Sequence, residues 1–197
     1  MRIFHSIPGE PDLAAVFRRF PHFVPPLLEL HDRVLRDPSP LTVAERELIA
    51  AYVSGLNACT FCHGAHRIAA SAFGVEEATV AALMADVETA PIEPKLRPLL
   101  AYVHTLTLSP ARLTEAQAEA VYAAGWDEQA LFDAICVAAL FNFMNRIVEG
   151  SGVRRDPLAD DAQERAARMA RMGAPGADPH SAPRSYLRLM EIYGIAR

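Results

Sequence analysis

The stretch NACTFCHGAHRIAASAFG, residues 57–74, carries two cysteines and two histidines within eight positions. Cys59 and Cys62 form a Cys-x-x-Cys pair, and His63 and His66 follow it. Such a pair can hold a metal, anchor a haem, or cycle between dithiol and disulfide. On a helix advancing about 100° per residue, all four side chains fall within about a third of the circumference. Phe61, Ala65, Ile68 and Ala72 occupy the other side, which suits packing. The expectation is a helix with one reactive face and one core face.

Gly55 can end the preceding helix, and Asn57 can cap the next. Cys59 then falls in the first turn, where free N–H groups and the helix dipole favour a thiolate. His66, one turn beyond Cys62, can take a proton from that thiol or return one. Three other readings compete. CTFCH is a c-type haem attachment pattern, but that chemistry belongs outside the cytoplasm. Cys59, Cys62, His63 and His66 are a Cys₂His₂ donor set, yet two adjacent turns of one helix poorly surround a tetrahedral zinc. The pair can also be two small buried residues, the reading that fits Cys136 among Ile135, Val137 and Leu140. A Cys-x-x-Cys at a helix start, with a histidine four residues on, favours thiol redox chemistry with no cofactor and no metal.

The rest of the chain must position this helix. Its 197 residues suit one domain with a tail. Apolar residues recur at three- and four-residue spacing, and strand alternation is absent, so the expected fold class is all-α. Helices are expected over about 11–20, 25–36, 42–55, 58–73, 76–86, 95–107, 114–123, 127–149, 159–171 and 183–192. Thr42 with Glu45 and Thr114 with Gln117 fit capping boxes, and Asp127 fits an N-cap. The division expected is a helical domain over 1–155, its motif-bearing core at about 40–85, and a C-terminal helix, Pro/Gly linker and tail over 156–197. The amphipathic tail has to dock on its own subunit or a neighbour. AYVSGL at 51–56 is echoed by AYVHTL at 101–106, by duplication or by chance.

The net charge is −5 and no Lys/Arg run occurs, so nucleic acid is not an expected partner. The N-terminus lacks the apolar run of a secretory leader. ALFDAICVAALFNFMNRIV, broken by Asp133, Asn142, Asn145 and Arg146, reads as too short and too polar to cross a bilayer. The expectation is a cytoplasmic protein with no membrane partner, and three cysteines there do not make a disulfide framework.

The pattern E-x11-C-x2-C-x3-H, here Glu47, Cys59, Cys62 and His66, resembles the motif of the AhpD-like alkylhydroperoxidases of the carboxymuconolactone decarboxylase superfamily. LTVAERELIAAYVSGLNACTFC is similar to that family too, and FNFMNRIVEGSGV (141–153) resembles its peroxidase-related branch. The resemblance implies an AhpD-like helical bundle that assembles into homo-oligomers. It also implies reduction of hydroperoxides with a dithiol electron donor. Cys62 would attack the peroxide, Cys59 would resolve the sulfenic acid, and Glu47 with His66 would relay protons. The alternative is a thiol–disulfide sensor or partner-binding protein without peroxidase turnover.

Glu45 has its job in the Thr42 capping box, which leaves Glu47 free to face the thiol helix. Replacing Glu47 is expected to slow turnover without unfolding the chain. In the best-known members a histidine lies between the cysteines. Here Phe61 stands there, and His63 after the pair is an auxiliary candidate. Asn142, Asn145 and Arg146 can line the cavity, but helix-terminal hydrogen bonding is the expected role.

Overall fold

Helix starts follow the caps. Thr42 Oγ1 accepts the Glu45 N–H at 3.2 Å while Glu45 returns to the Thr42 N–H at 2.7 Å. Thr114 and Gln117 form the second box. Asp127 accepts the Ala130 N–H at 2.8 Å and opens the longest helix. Each reciprocal cap satisfies backbone donors that the first turn leaves unpaired.

The computed structural model describes residues 3–154, 163, 166, 170 and 185–195, and every regular element among them is helical. In chain order these are α1 (Leu13–Arg19), α2 (Val24–Arg36), α3 (Val43–Leu56), α4 (Thr60–Ala72), α5 (Glu77–Ala85), α6 (Leu96–Leu108), α7 (Glu115–Ala123), α8 (Glu128–Gly150) and α9 (Leu189–Tyr193). Short 3₁₀ turns precede α2, follow α6 and lead into α9. The fold is all-α, as the periodicity predicts. The linker and all but isolated positions of the expected helix 159–171 lie outside the described residues.

α3 is the centre of the bundle. Every residue from Arg46 to Ser54 is buried, and α4, α6 and α8 pack around it. A helix covered on all sides is what its nearly unbroken apolar run requires. The two AYV segments lie on α3 and α6, which pack against each other.

α8 corrects one expectation. At 23 residues, with a mean hydropathy of 1.6 in its most apolar window, it is long and apolar enough to cross a membrane. It is nevertheless a core helix, with half of that window buried against the bundle.

The turn between α3 and α4 aims the thiol helix. α3 runs past Gly55 to Leu56, and Asn57 is its C-cap rather than the cap of α4. The Cys59 N–H reaches the Ser54 carbonyl and the Ala58 N–H reaches that of Gly55, both at 2.9 Å. This is a Schellman turn, in which the residue after the cap is left-handed. Gly74 fills that position after α4, at φ 103°; here Ala58 fills it, at φ 55°. A left-handed alanine costs about 1–2 kcal/mol, strain of a kind that gathers at functional sites.

Candidate functional site

Cys59 is the N-cap of α4 rather than a residue of its first turn. It still faces the N–H groups of the first turn. The faces of α4 follow expectation only in part: Ile68 and Ala72 are buried as the core face requires. Cys62 and His66 are buried with Ala69 and Ala70, whereas Phe61 and Ala65 are only half-buried. The reactive face looks into the bundle, towards α3 and α8.

Glu47 arrives from α3, and it is not a solvated carboxylate but fully buried. Its Oε2 lies 2.6 Å from His66 Nδ1. Its Oε1 lies 2.5 Å from Arg36 Nη2 and accepts the Tyr186 hydroxyl at 3.2 Å. Burial alone pushes this carboxyl up, but Arg36 and His66 together outweigh it and hold it at about 2. Glu47 is therefore an anion and only accepts hydrogen bonds. His66 must donate from Nδ1, which fixes its tautomer and leaves Nε2 for chemistry. The imidazole is further held edge-on to Phe141, with ring centroids 4.2 Å apart.

The cysteines form a coupled pair. The Cys62 thiol donates to Cys59, which lowers the Cys59 thiol and raises that of Cys62. Burial opposes a thiolate at either sulfur, and Glu149 also disfavours charge on Cys59. Of the two sulfurs, Cys59 is therefore the more readily ionised. The side chain of Asn145 favours charge on Cys62.

Asn145 and Asn142 are not helix-terminal groups. Asn145 lies buried within α8 and donates to Ser54 Oγ at 3.0 Å. Asn57 donates to Asn142 Oδ1 at 3.1 Å and to Asn145 Oδ1 at 2.9 Å. These amides pin α8 to the turn that precedes Cys59. Arg146 joins the same chain through Asn142 Oδ1 at 3.0 Å.

His63 stands apart. Its Nδ1 bonds the Ala51 carbonyl at 2.9 Å, so it ties α4 to α3. The two cysteines and two histidines do not converge as a donor set. Among the described residues no group of three or more His, Cys, Asp or Glu is placed to hold a metal. Replacing His63 with alanine is expected to cost about 1 kcal/mol of stability, as for one lost hydrogen bond. Any thiol-dependent turnover should stay within about twofold of wild type, well short of what loss of a general acid–base group costs. Chemical melts and steady-state rates measure both.

Arg36 and Tyr186 were not singled out from the sequence. Arg36 carried a signal: with Asp32 it falls on the buried stripe of α2 that includes Leu28 and Leu35. A charged residue on an apolar stripe needs a buried partner. Tyr186 had no such signal.

No curated protein matches this sequence. Residues 21–105 match the carboxymuconolactone decarboxylase family. Among solved structures, the chain is similar to an uncharacterized peroxidase-related protein from Ralstonia eutropha JMP134, described as an alkylhydroperoxidase AhpD core. The TM-score is 0.69 at 22% identity, over 74% of this chain and 76% of that one. It is also similar to an uncharacterized peroxidase-related protein from Silicibacter sp. TM1040, with a TM-score of 0.70 at 22% identity, over 77% and 79%. With residues 21–105 matching that family and its all-helical fold shared with these proteins, the chain is similar to AhpD-like proteins of the carboxymuconolactone decarboxylase family.

Proposed function

We propose that this protein is a thiol-dependent peroxidase. It reduces hydroperoxides through a Cys59/Cys62 dithiol–disulfide cycle, with Glu47 and His66 relaying protons. The observation that carries the reading is the buried Glu47–His66 pair, one helical turn from Cys62, whose thiol bonds Cys59. The peroxidase-related description of both similar structures supports it.

The proton between the sulfurs moves from Cys62 to Cys59, leaving Cys62 as thiolate. Cys62 is the less occluded sulfur, 4% exposed against 0% for Cys59. It attacks the outer peroxide oxygen, the O–O bond breaks, and the alkoxide takes from His66 Nε2 the proton that His66 received when the thiol pair first ionised. Cys59 then gives its proton to His66 and attacks the Cys62 sulfenic acid. The S–S bond forms, and hydroxide leaves as water with that proton. A dithiol donor reduces the disulfide by exchange. A reducing cytoplasm supplies such donors.

The test is peroxide consumption with a dithiol donor, wild type against Cys62→Ser. Multiple turnovers in wild type alone support the reading. One equivalent of peroxide consumed, with a disulfide that no donor cycles, points instead to a redox sensor. The protein is also proposed to be a homo-oligomer, because α8 exposes Phe132 at 60% and Phe143 at 47% on one side. Light scattering at micromolar concentration should give a multiple of the chain mass, and a monomer mass would refute it.

A further inference from the structure

The C-terminal segment reaches back across the bundle to the relay. Asp32, on α2, accepts from the Ser185 hydroxyl, from the Tyr186 N–H at 2.6 Å and from the Leu187 N–H at 3.3 Å. This carboxylate is buried and caps the 3₁₀ turn Tyr186–Arg188. Further along, Arg18 donates to the Tyr193 carbonyl at 3.1 Å, and Met190 and Ile195 are buried. Gly194 ends α9 in the left-handed conformation. The tail docks on its own subunit.

One side chain of this segment enters the site. The Tyr186 ring lies 4.9 Å from the Arg36 guanidinium carbon and stacks on His66 at 20° between planes, with centroids 6.3 Å apart. It tilts against His31 at 5.1 Å. Its hydroxyl donates to Glu47 Oε1, the oxygen that His66 does not use. Tyr186 thus touches three of the groups that set the charge and tilt of the imidazole. A plain packing residue would not need the hydroxyl there.

We propose that Tyr186 is a positioning residue of the Glu47–His66 pair, and that the Asp32 clamp makes the tail a working part of the active site. This deepens the peroxidase reading and rests on it. The charged and titratable groups that surround the pair are His31, Asp32 and Arg36 from α2, Arg46 and Glu47 from α3, and His66 from α4. Burial and the charge of Glu47 raise the Tyr186 phenol well above its ordinary value, so it remains a donor. With that donor in place, Glu47 shares its charge between Arg36, Tyr186 and His66. With the donor gone, more of that charge falls on the imidazole. The ring then takes the thiol proton more readily and releases it less readily to the leaving oxygen.

Tyr186→Phe in the full chain tests this, because the ring and its packing stay. The first readout is the rate at which iodoacetamide alkylates the thiol pair as a function of pH. The midpoint should move to lower pH by at least about half a unit. The second is steady-state kinetics: kcat should fall at least about fivefold with KM within about twofold, as for an interaction made only in the transition state. Asp32→Asn, which weakens the clamp and leaves the tyrosine, should shift both readouts in the same direction by less. Alkylation and kinetic profiles of Tyr186→Phe that superimpose on wild type reduce Tyr186 to packing and overturn the proposal. A wild-type profile in Asp32→Asn overturns the part assigned to the clamp. If the wild type consumes no peroxide, the peroxidase reading fails, while the alkylation profile still decides the role of Tyr186.

Discussion

Glu47→Gln should lower the stability of this protein by about 3–5 kcal/mol, the usual cost of removing one partner from a buried ion pair. Arg36 and Glu47 are both fully buried and 2.5 Å apart. This differs from the sequence-based expectation of lost activity in an unperturbed fold. Amide for carboxylate leaves the guanidinium desolvated, with Tyr186 and Phe73 rings over it but no anion at Oε1. For a domain of this size the melting temperature should fall by about ten degrees. Adding Arg36→Met to Glu47→Gln should recover part of the stability, since the orphaned charge goes with it. It should recover none of the turnover. That double variant separates the structural work of the carboxylate from its work on His66.

The same groups set how stability depends on pH. Glu47 is held at about 2 against an ordinary 4.5, so it contributes stability that is complete above 4.5 and lost as pH falls towards 2. His31 is lowered from 6.5 to about 4, chiefly by burial. The unfolded chain therefore binds its proton first, and stability falls as pH drops from 6.5 to 4. Unfolding free energies from denaturant melts should decline in two overlapping stages in wild type. Glu47→Gln should keep the His31 stage and lose the lower one.

Serine at either cysteine should cut peroxide turnover on the order of 10³-fold or more, because members of one catalytic unit fail together. The two variants should differ in what they trap. In Cys59→Ser, peroxide should convert Cys62 to a sulfenic acid that dimedone labels, one per chain, because the resolving thiol is gone. Cys62→Ser should give no such adduct at Cys59. The opposite labelling would assign the attack to Cys59, the more readily ionised sulfur. Mass spectrometry of the labelled peptide decides between them. Cys136, half-buried beside Asp133 and with its thiol raised, should stay unmodified in both.

Sequence reading works here where a rule is local. The capping boxes, the Asp127 cap and the helical period depend on residues three or four apart, and the structure follows them closely. The spacing from Glu47 to His66 is long, but both lie on neighbouring helices joined by one tight turn, so the pairing is legible. That Cys62 and His66 would be buried beside Ile68 and Ala72 of α4 was not. The wheel assigns apolar residues inward, yet a buried Glu47, Arg36 and Asn145 provide polar partners that let Cys62 and His66 take the inner side. Gly55 was read as a helix stop. It is instead a gap in the helix surface, where an added methyl group would meet Met84 and His63. Asn57 was read as a cap, but the Schellman turn had already used the backbone groups it would have served. Tyr186 lies 139 positions from its carboxylate, and no periodicity reaches that far.

The Asp32 clamp has a consequence for when the protein becomes active. Domains emerge from the ribosome from the N-terminus onward and begin to fold as they do. Residues 3–154 already contain the thiols, the relay and the bundle around them. Asp32 waits for a partner 153 positions later, and Glu47 for one 139 positions later. A nascent chain can therefore bury its core while its relay still lacks the phenol. On the role proposed for Tyr186, full competence follows once the last described segment has been made and has closed back on α2. Timing of synthesis then sets the moment at which the buried pair reaches its final charge balance.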